Sequence, residues 1–235
     1  MGAESKSLNP ARRSGFRALF EETTGSERAH SGGLGNVVQI GLVFGLIMIA
    51  LWTPPGRVNA ACNVLAVLGI VRFSVWGGCS ADEMGLGRPV SGAVVMVVCG
   101  LLMVLAVAVA GSVFRSLEPP QTVPWGRAWK YGIWALEQEF ILQSFFYVRL
   151  ESLLGSRRAV WAAALLFCAA HLPSPLLTAM SFIGGALFCE MFRRYRNIYP
   201  LGLIHAAVGL TIAASMPDRV LHHMRVGLGY LTYRS

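Results

Sequence analysis

The chain has 235 residues, of which 54% are hydrophobic and only 14% charged, against about 25% charged in an ordinary soluble domain. So little polar surface excludes a water-soluble globular fold. The formal charge of +8 does not indicate nucleic acid, because Lys and Arg are scattered among the breaks between apolar runs, as at the flanks of membrane spans.

Residues 1–34 read as a polar tail: Lys6, Arg12, Arg13, Arg17 and Arg28 stand against four Glu, and no apolar core of a signal peptide is present. Apolar windows then follow at 37–53, 59–76, 90–114, 129–148, 159–171, 176–192 and 198–216. A helix needs roughly 20 such residues to cross a hydrocarbon core about 30 Å thick. Unbroken apolar runs without period-2 alternation select helices over barrel strands. The expected fold is therefore all-α, a polytopic transmembrane helical bundle of about seven spans over residues 35–216, followed by a basic, aromatic interfacial segment at 217–235.

Proline, glycine and arginine mark the breaks: Pro54-Pro55-Gly56, the stretch 77–89, Pro119-Pro120 with Pro124, the segment 171–175, and Arg193-Arg194-Tyr195-Arg196. The fifth window is short, so either its helix continues through Pro173 or the segment 171–175 turns back into protein. Thirteen Lys and Arg fall on the amino-terminal side of this topology and seven on the other, which predicts a cytoplasmic amino terminus. The loop cations Arg149, Arg157 and Arg158 belong to the thirteen. Gly41 and Gly45 have the GxxxG spacing of close helix packing. Cys62, Cys79, Cys99, Cys168 and Cys189 form no CxxC pair and read as small buried hydrophobes.

Ionisable groups inside a span cost at least about 2.5 kcal/mol on insertion scales, so each needs a partner or a function. The fourth window holds Glu137, Gln138, Glu139, Gln143 and Ser144. At 100° per residue Glu139 and Gln143 share a face, while Glu137 points away from Glu139 and stacks over Ser144. His171 closes the fifth window and His205 lies in the seventh. Two imidazoles and one carboxylate on three helices suit water activation; the plainer reading is that each is a satisfied interior group bonding across helices. No HExxH, GxGD or GxSG sequence is present, which leaves a Glu/His site without metal or other cofactor.

These residues resemble the CPBP family, also called Abi or type II CAAX prenyl endopeptidase-like proteins, glutamate-dependent intramembrane proteases. The resemblance covers about 82–216, with its core at about 127–216. The family pattern is Glu-Glu-x-x-x-Arg, then Phe-x-x-x-His, then His-x-x-x-Asn, often preceded by a segment like Met84-Gly-Leu-Gly-Arg-Pro89. Phe167 to His171 matches the second motif in full. In the first motif Gln138 and Glu139 occupy the two Glu positions and Gln143 the Arg position; in the third, Gly209 stands at the Asn position.

The resemblance implies that Glu139, or Glu137 after a local helix shift, acts as base with His171 and His205 as partners, on a membrane-associated protein or peptide substrate. Gln138, Gln143, Phe167 and Gly209 complete the implied site. The chain is also similar to a bacterial subgroup with a Gln-rich first motif followed by His-Leu-Pro, suspected of processing the tails of exported proteins, which implies a bacterial inner membrane. Two other readings stay open. One is a catalytically silent relative that binds a membrane peptide as an immunity or chaperone-like factor, for which Gln138, Gln143 and Gly209 speak. The other is a proton-coupled transporter, against which no inverted repeat is visible.

Two weaker features remain. Glu190 has Arg193 and Arg194 at i+3 and i+4, the spacing of a headgroup-level ion pair. His222, His223 and Arg225 precede Val226-Gly-Leu-Gly-Tyr230 and read as a membrane-surface anchor rather than a metal site.

Overall fold

A computed structural model describes residues 33–114 and 124–233, which fold into helices with no strand among them. The expected polar tail, up to residue 32, and the Pro119-Pro120 break lie outside the described residues. Helices α1 (Gly33–Trp52), α2 (Arg57–Trp76) and α3 (Ala93–Phe114) come first. α4 (Trp125–Glu139) then runs without interruption through a widened turn, Phe140–Tyr147, into α5 (Val148–Leu154). Gly155, at φ 79°, stops this run, since the left-handed region favours glycine. α6 (Ser156–Ala169), α7 (Pro175–Tyr195) and α8 (Ile198–Ser215) follow, and the short α9 (Asp218–Leu221) and α10 (Leu228–Leu231) close the chain.

Five of these helices, α1, α2, α3, α7 and α8, are long and apolar enough to cross a membrane. The two further spans of the expected seven correspond to the α4–α5 run, which is too polar, and to α6. With 14 residues, α6 is about 21 Å long at 1.5 Å per residue, short of the hydrocarbon thickness.

α8 is the axis of the bundle, and small residues let its neighbours approach. A Cβ on Gly100 of α3 would meet Ile204 at 2.5 Å, and one on Gly111 would meet Ser215 at 2.3 Å. Both pairs have the same sequence offset, so α3 and α8 are parallel. On the other flank, a Cβ on Gly202 would come within 3.1 Å of the Cα of Leu136, and one on Gly209 would meet Tyr131; as one number rises the other falls, so α4 and α8 are antiparallel. The expected close packing at Gly41 and Gly45 does not occur, because a Cβ at either would meet nothing within 4 Å. Of the five cysteines only Cys189 is fully buried.

The loop 77–92 is tied to the widened turn and to the junction of α7 and α8. Ser144 donates to the carbonyl of Met84 at 2.6 Å, the Ile198 amide donates to Gly85, and the buried Asn197 amide donates to the carbonyls of Pro89 and Ser91. Arg149 is not the loop cation expected: it is buried and donates to Gln39 Oε1 and to the carbonyls of Phe145 and Phe73. Glu190 pairs with Arg193 and Arg194 at 2.7 Å each, as its spacing predicts.

After α6 the chain turns back into protein. His171 and Leu172 donate their amides to the carbonyls of Cys168 and Ala169, the Leu172-Pro173 peptide is cis, and Ser174 is wholly buried before Pro175 opens α7. The carboxy-terminal segment folds over this turn: the Gly227 amide donates to the carbonyl of Leu172 at 2.7 Å.

Candidate active site

The widened turn explains how so polar a stretch is housed. From Phe140 to Tyr147 the backbone winds with i→i+5 bonds, the Val148 amide reaching back to the carbonyl of Gln143, a form found mostly where function demands it. Residues 142–147 are all buried, so this segment is enclosed by neighbours on every side. The wider winding also undoes the expected stacking of Glu137 over Ser144. Ser144 is buried on the loop 77–92, whereas Glu137 is exposed.

Glu139 and Gln143 meet as their spacing predicts: Gln143 Nε2 donates to Glu139 Oε2 at 3.1 Å, and both side chains are wholly buried. The other carboxylate oxygen, Oε1, lies 2.8 Å from Nδ1 of His205 on α8. With the carboxylate as acceptor, Nδ1 donates and Nε2 keeps its lone pair. Gln143 Oε1 has no partner in the protein.

His171 is fixed in the same tautomer by a different group. Its Nδ1 stands 2.7 Å from the carbonyl oxygen of Phe167, which can only accept, so again Nδ1 donates and Nε2 is left with a lone pair. Phe167 packs its ring on both imidazoles, edge-on to His171 at 4.7 Å and to His205 at 5.9 Å, and Phe188 covers the remaining face of His205 at 5.6 Å. The two rings are thus held by packing as well as by hydrogen bonds.

Both histidines line a cavity of about 1110 Å³ whose wall is otherwise largely apolar and draws on α1, α2, α3, α4, α7 and α8. Gln138, Glu137, Phe167 and Gly209 share that wall. Glu139 has no exposed surface and stands behind His205, and Gln143 stands behind Glu139. Glu139, His171 and His205 are therefore brought together, but the carboxylate reaches the cavity through an imidazole.

Two residues of this region escaped the sequence reading. Tyr131, seven residues before Gln138 and so on the same face of α4, lines the cavity against Gly209; the spacing was the available signal. Arg149 lay within a charged stretch and nothing in the sequence marked it as interior.

Fold and site define an integral membrane protein of the all-α class that holds a buried carboxylate–imidazole pair at the wall of an apolar cavity. Residues 121–211 match the family model described as type II CAAX prenyl endopeptidase Rce1-like. Over that segment the chain is similar to this family of CAAX-protease-type membrane endopeptidases. No curated protein and no solved structure matched the chain.

Proposed function

We propose that this protein is an intramembrane endopeptidase that hydrolyses a peptide bond of a membrane-associated protein or peptide, with Glu139 acting through His205 on the attacking water. The observation that carries the reading is the 2.8 Å contact between Glu139 Oε1 and His205 Nδ1, which frees Nε2 to work as a base. A water bonded to Nε2 passes it a proton as the water oxygen adds to the scissile carbonyl carbon and the carbonyl π pair moves onto oxygen. The Glu139 carboxylate holds the imidazole in the right tautomer and balances the imidazolium that forms. His171 Nε2 accepts a hydrogen bond from the water's second O–H, whose hydrogen stays on the oxygen throughout. On collapse the C–N bond breaks and His205 returns its proton to the leaving nitrogen, so the products are a carboxylic acid and an amine.

This assignment differs from a carboxylate acting directly on water. Gln138, on the cavity wall at the position of the family's first Glu, cannot take up a proton, and Glu137 is exposed at the cavity's edge. The family description makes a prenylated C-terminal CAAX tail the first substrate to assay, and the apolar wall suits such a chain. A silent, peptide-binding relative is the second reading, favoured by the amide of Gln138 in place of a carboxylate.

The test is reconstitution in liposomes with a farnesylated CAAX peptide and, separately, an unprenylated membrane peptide with a short polar tail. Cleavage is expected to fall by roughly 10³- to 10⁴-fold in His205→Ala and Glu139→Gln, as when a base loses its orienting carboxylate, and to stay near wild type in Glu137→Gln. Cleavage that survives both His171→Ala and His205→Ala would sink the proposal. Tight binding of either peptide without turnover would select the silent relative.

A further inference from the structure

We infer that Tyr131 is a further catalytic residue of this site, its phenol standing in for the side chain missing at Gly209 and donating to the oxyanion; this rests on the peptidase reading above. The placement is direct. A Cβ built on Gly209 would lie 2.0 Å from Tyr131 Oη and 2.7 Å from its Cε1 and Cζ, so the hydroxyl end of the phenol fills the space that a residue 209 side chain would take. Only glycine at this position admits it.

The chemistry needs such a donor. His171 Nε2 presents a lone pair, which repels a developing negative oxygen, and the proton that His205 Nε2 takes up is committed to the leaving nitrogen. The backbone amides beside them are spent inside α8. Other polar groups of the cavity wall donate elsewhere: Asn59 to the carbonyl of Ala50, Asn63 to Asn59, Ser181 to the carbonyl of Thr178 and Tyr199 to the carbonyl of Leu86. Among the described residues of this wall, the donors without a protein partner are Tyr131 Oη, the Gln138 amide and the indole N–H of Trp134, and Trp134 is half exposed.

Position gives the two remaining donors, Tyr131 and Gln138, different parts. His205 and Gly209 are one turn apart on α8, where successive Cβ positions lie about 5–6 Å from each other, so the phenol oxygen stands one turn from the base. Gln138 lies about 10 Å along α4 from Tyr131 and adjoins Glu139, which bonds His205 Nδ1, so the two donors stand at different levels of the site. A carbonyl oxygen directed at Tyr131 leaves its carbon on the side of His205, while Gln138 is left to hold the water or the substrate backbone.

The experiment uses the full chain in liposomes, a farnesylated CAAX peptide, and the same peptide with a phosphinate at the scissile bond, whose charged tetrahedral oxygen mimics the oxyanion. Tyr131→Phe keeps the ring and is expected to lower kcat by about 10²-fold with KM unchanged, and to weaken the phosphinate by a similar factor while binding of the parent peptide is unaltered. Gly209→Ala, which drives the hydroxyl away with Tyr131 intact, is expected to fall likewise. Gly209→Asn in a Tyr131→Ala background is expected to recover at least 10-fold over Tyr131→Ala alone. Unchanged kcat in both Tyr131→Phe and Gly209→Ala, or phosphinate affinity unchanged by Tyr131→Phe, overturns the assignment. If His205→Ala cleaves like wild type, the base proposed above is wrong, yet a loss of phosphinate selectivity confined to the Tyr131 and Gly209 variants still supports the donor. A phosphinate that binds wild type no tighter than the parent peptide overturns the donor role too.

Discussion

The amino-terminal helices and the helices that carry the site are packed by different rules. In α1, α2 and α3 only 11%, 22% and 17% of the spanning window is buried within the protein, whereas in α7 and α8 the share rises to 33% and 50%. Val94, Leu101 and Leu102 on α3 are more than half exposed, which costs nothing where the surroundings are lipid tails as apolar as leucine. Around Glu139 the opposite holds. Glu139, His171, His205 and Ser144 each have a named hydrogen-bond partner within the protein, as groups shielded by lipid require. One half of the bundle is an envelope that closes a cavity, and the other is a framework whose hydrogen bonds fix two imidazoles. Substitutions should therefore be forgiven on α1–α3 and punished on α4–α8, except where α3 touches α8.

Arg149 gives the largest expected contrast outside the site. Arg149→Met fits the same space but leaves Gln39 Oε1 and the carbonyls of Phe73 and Phe145 without their donor, at about 1–3 kcal/mol for each buried group left unpaired. A loss of about 3 kcal/mol is expected in unfolding by a mixed-micelle denaturant titration. Arg72→Met, on the exposed face of α2, gives up only a stacking of its guanidinium on Trp76 at 4.5 Å, and about 0.5–1 kcal/mol is expected. Equal losses would mean that the two halves are not distinct in this respect.

The glycines sharpen the comparison at smaller scale. Gly111→Ala must push the Cβ of Ser215 from 2.3 Å and is expected to cost about 1–3 kcal/mol, as overpacking does. Gly41→Ala and Gly45→Ala meet open space and are expected to be neutral or to gain up to about 1 kcal/mol, since alanine loses less backbone entropy in a helix. The same titration reads all three, and destabilisation by the α1 variants would reinstate the close packing that their spacing suggests.

These cases also indicate what a sequence of this kind conveys. Helices in lipid must be apolar over a fixed length, so the existence and order of α1, α2, α3, α7 and α8 can be read from hydropathy alone. An ionisable residue in an apolar window is conspicuous for the same reason, and so Glu139, His171 and His205 were visible as a group. Orientation was less legible. A uniform 100° rotation cannot anticipate the widened turn at Phe140–Tyr147, which separates Glu137 from Ser144, and the tertiary bonds that hold that turn involve the loop 77–92. Tyr131 carries no charge and so raised no alarm, although Gly209, flagged as a departure from the family pattern, was its complement. The spacing of Gly41 and Gly45 is shared by packed and lipid-facing helices alike, and only the neighbour decides.

The smallest effect concerns the carboxy-terminal segment, which belongs to neither half and covers the turn after His171. Asp218 anchors it: the carboxylate accepts from the His223 amide at 2.7 Å and from the Tyr233 hydroxyl. Burial alone would raise its pKa, but these hydrogen bonds and the nearby His223 and His222 charges hold it below the ordinary 3.8. A carboxyl lowered by folding stabilises the folded segment at pH values above its unfolded pKa, and that contribution disappears as the pH falls through the lowered folded value. Amide hydrogen exchange over residues 217–233 should therefore be independent of this group at neutral pH and accelerate, after correction for intrinsic rates, only below about pH 4. Asp218→Asn should show the faster exchange at every pH. Because the segment meets the bundle through Gly227 and Leu172, beside His171 rather than beside α1–α3 alone, exchange at residues 170–174 is expected to rise in parallel; a change confined to 217–233 would show that the segment moves without the turn it covers.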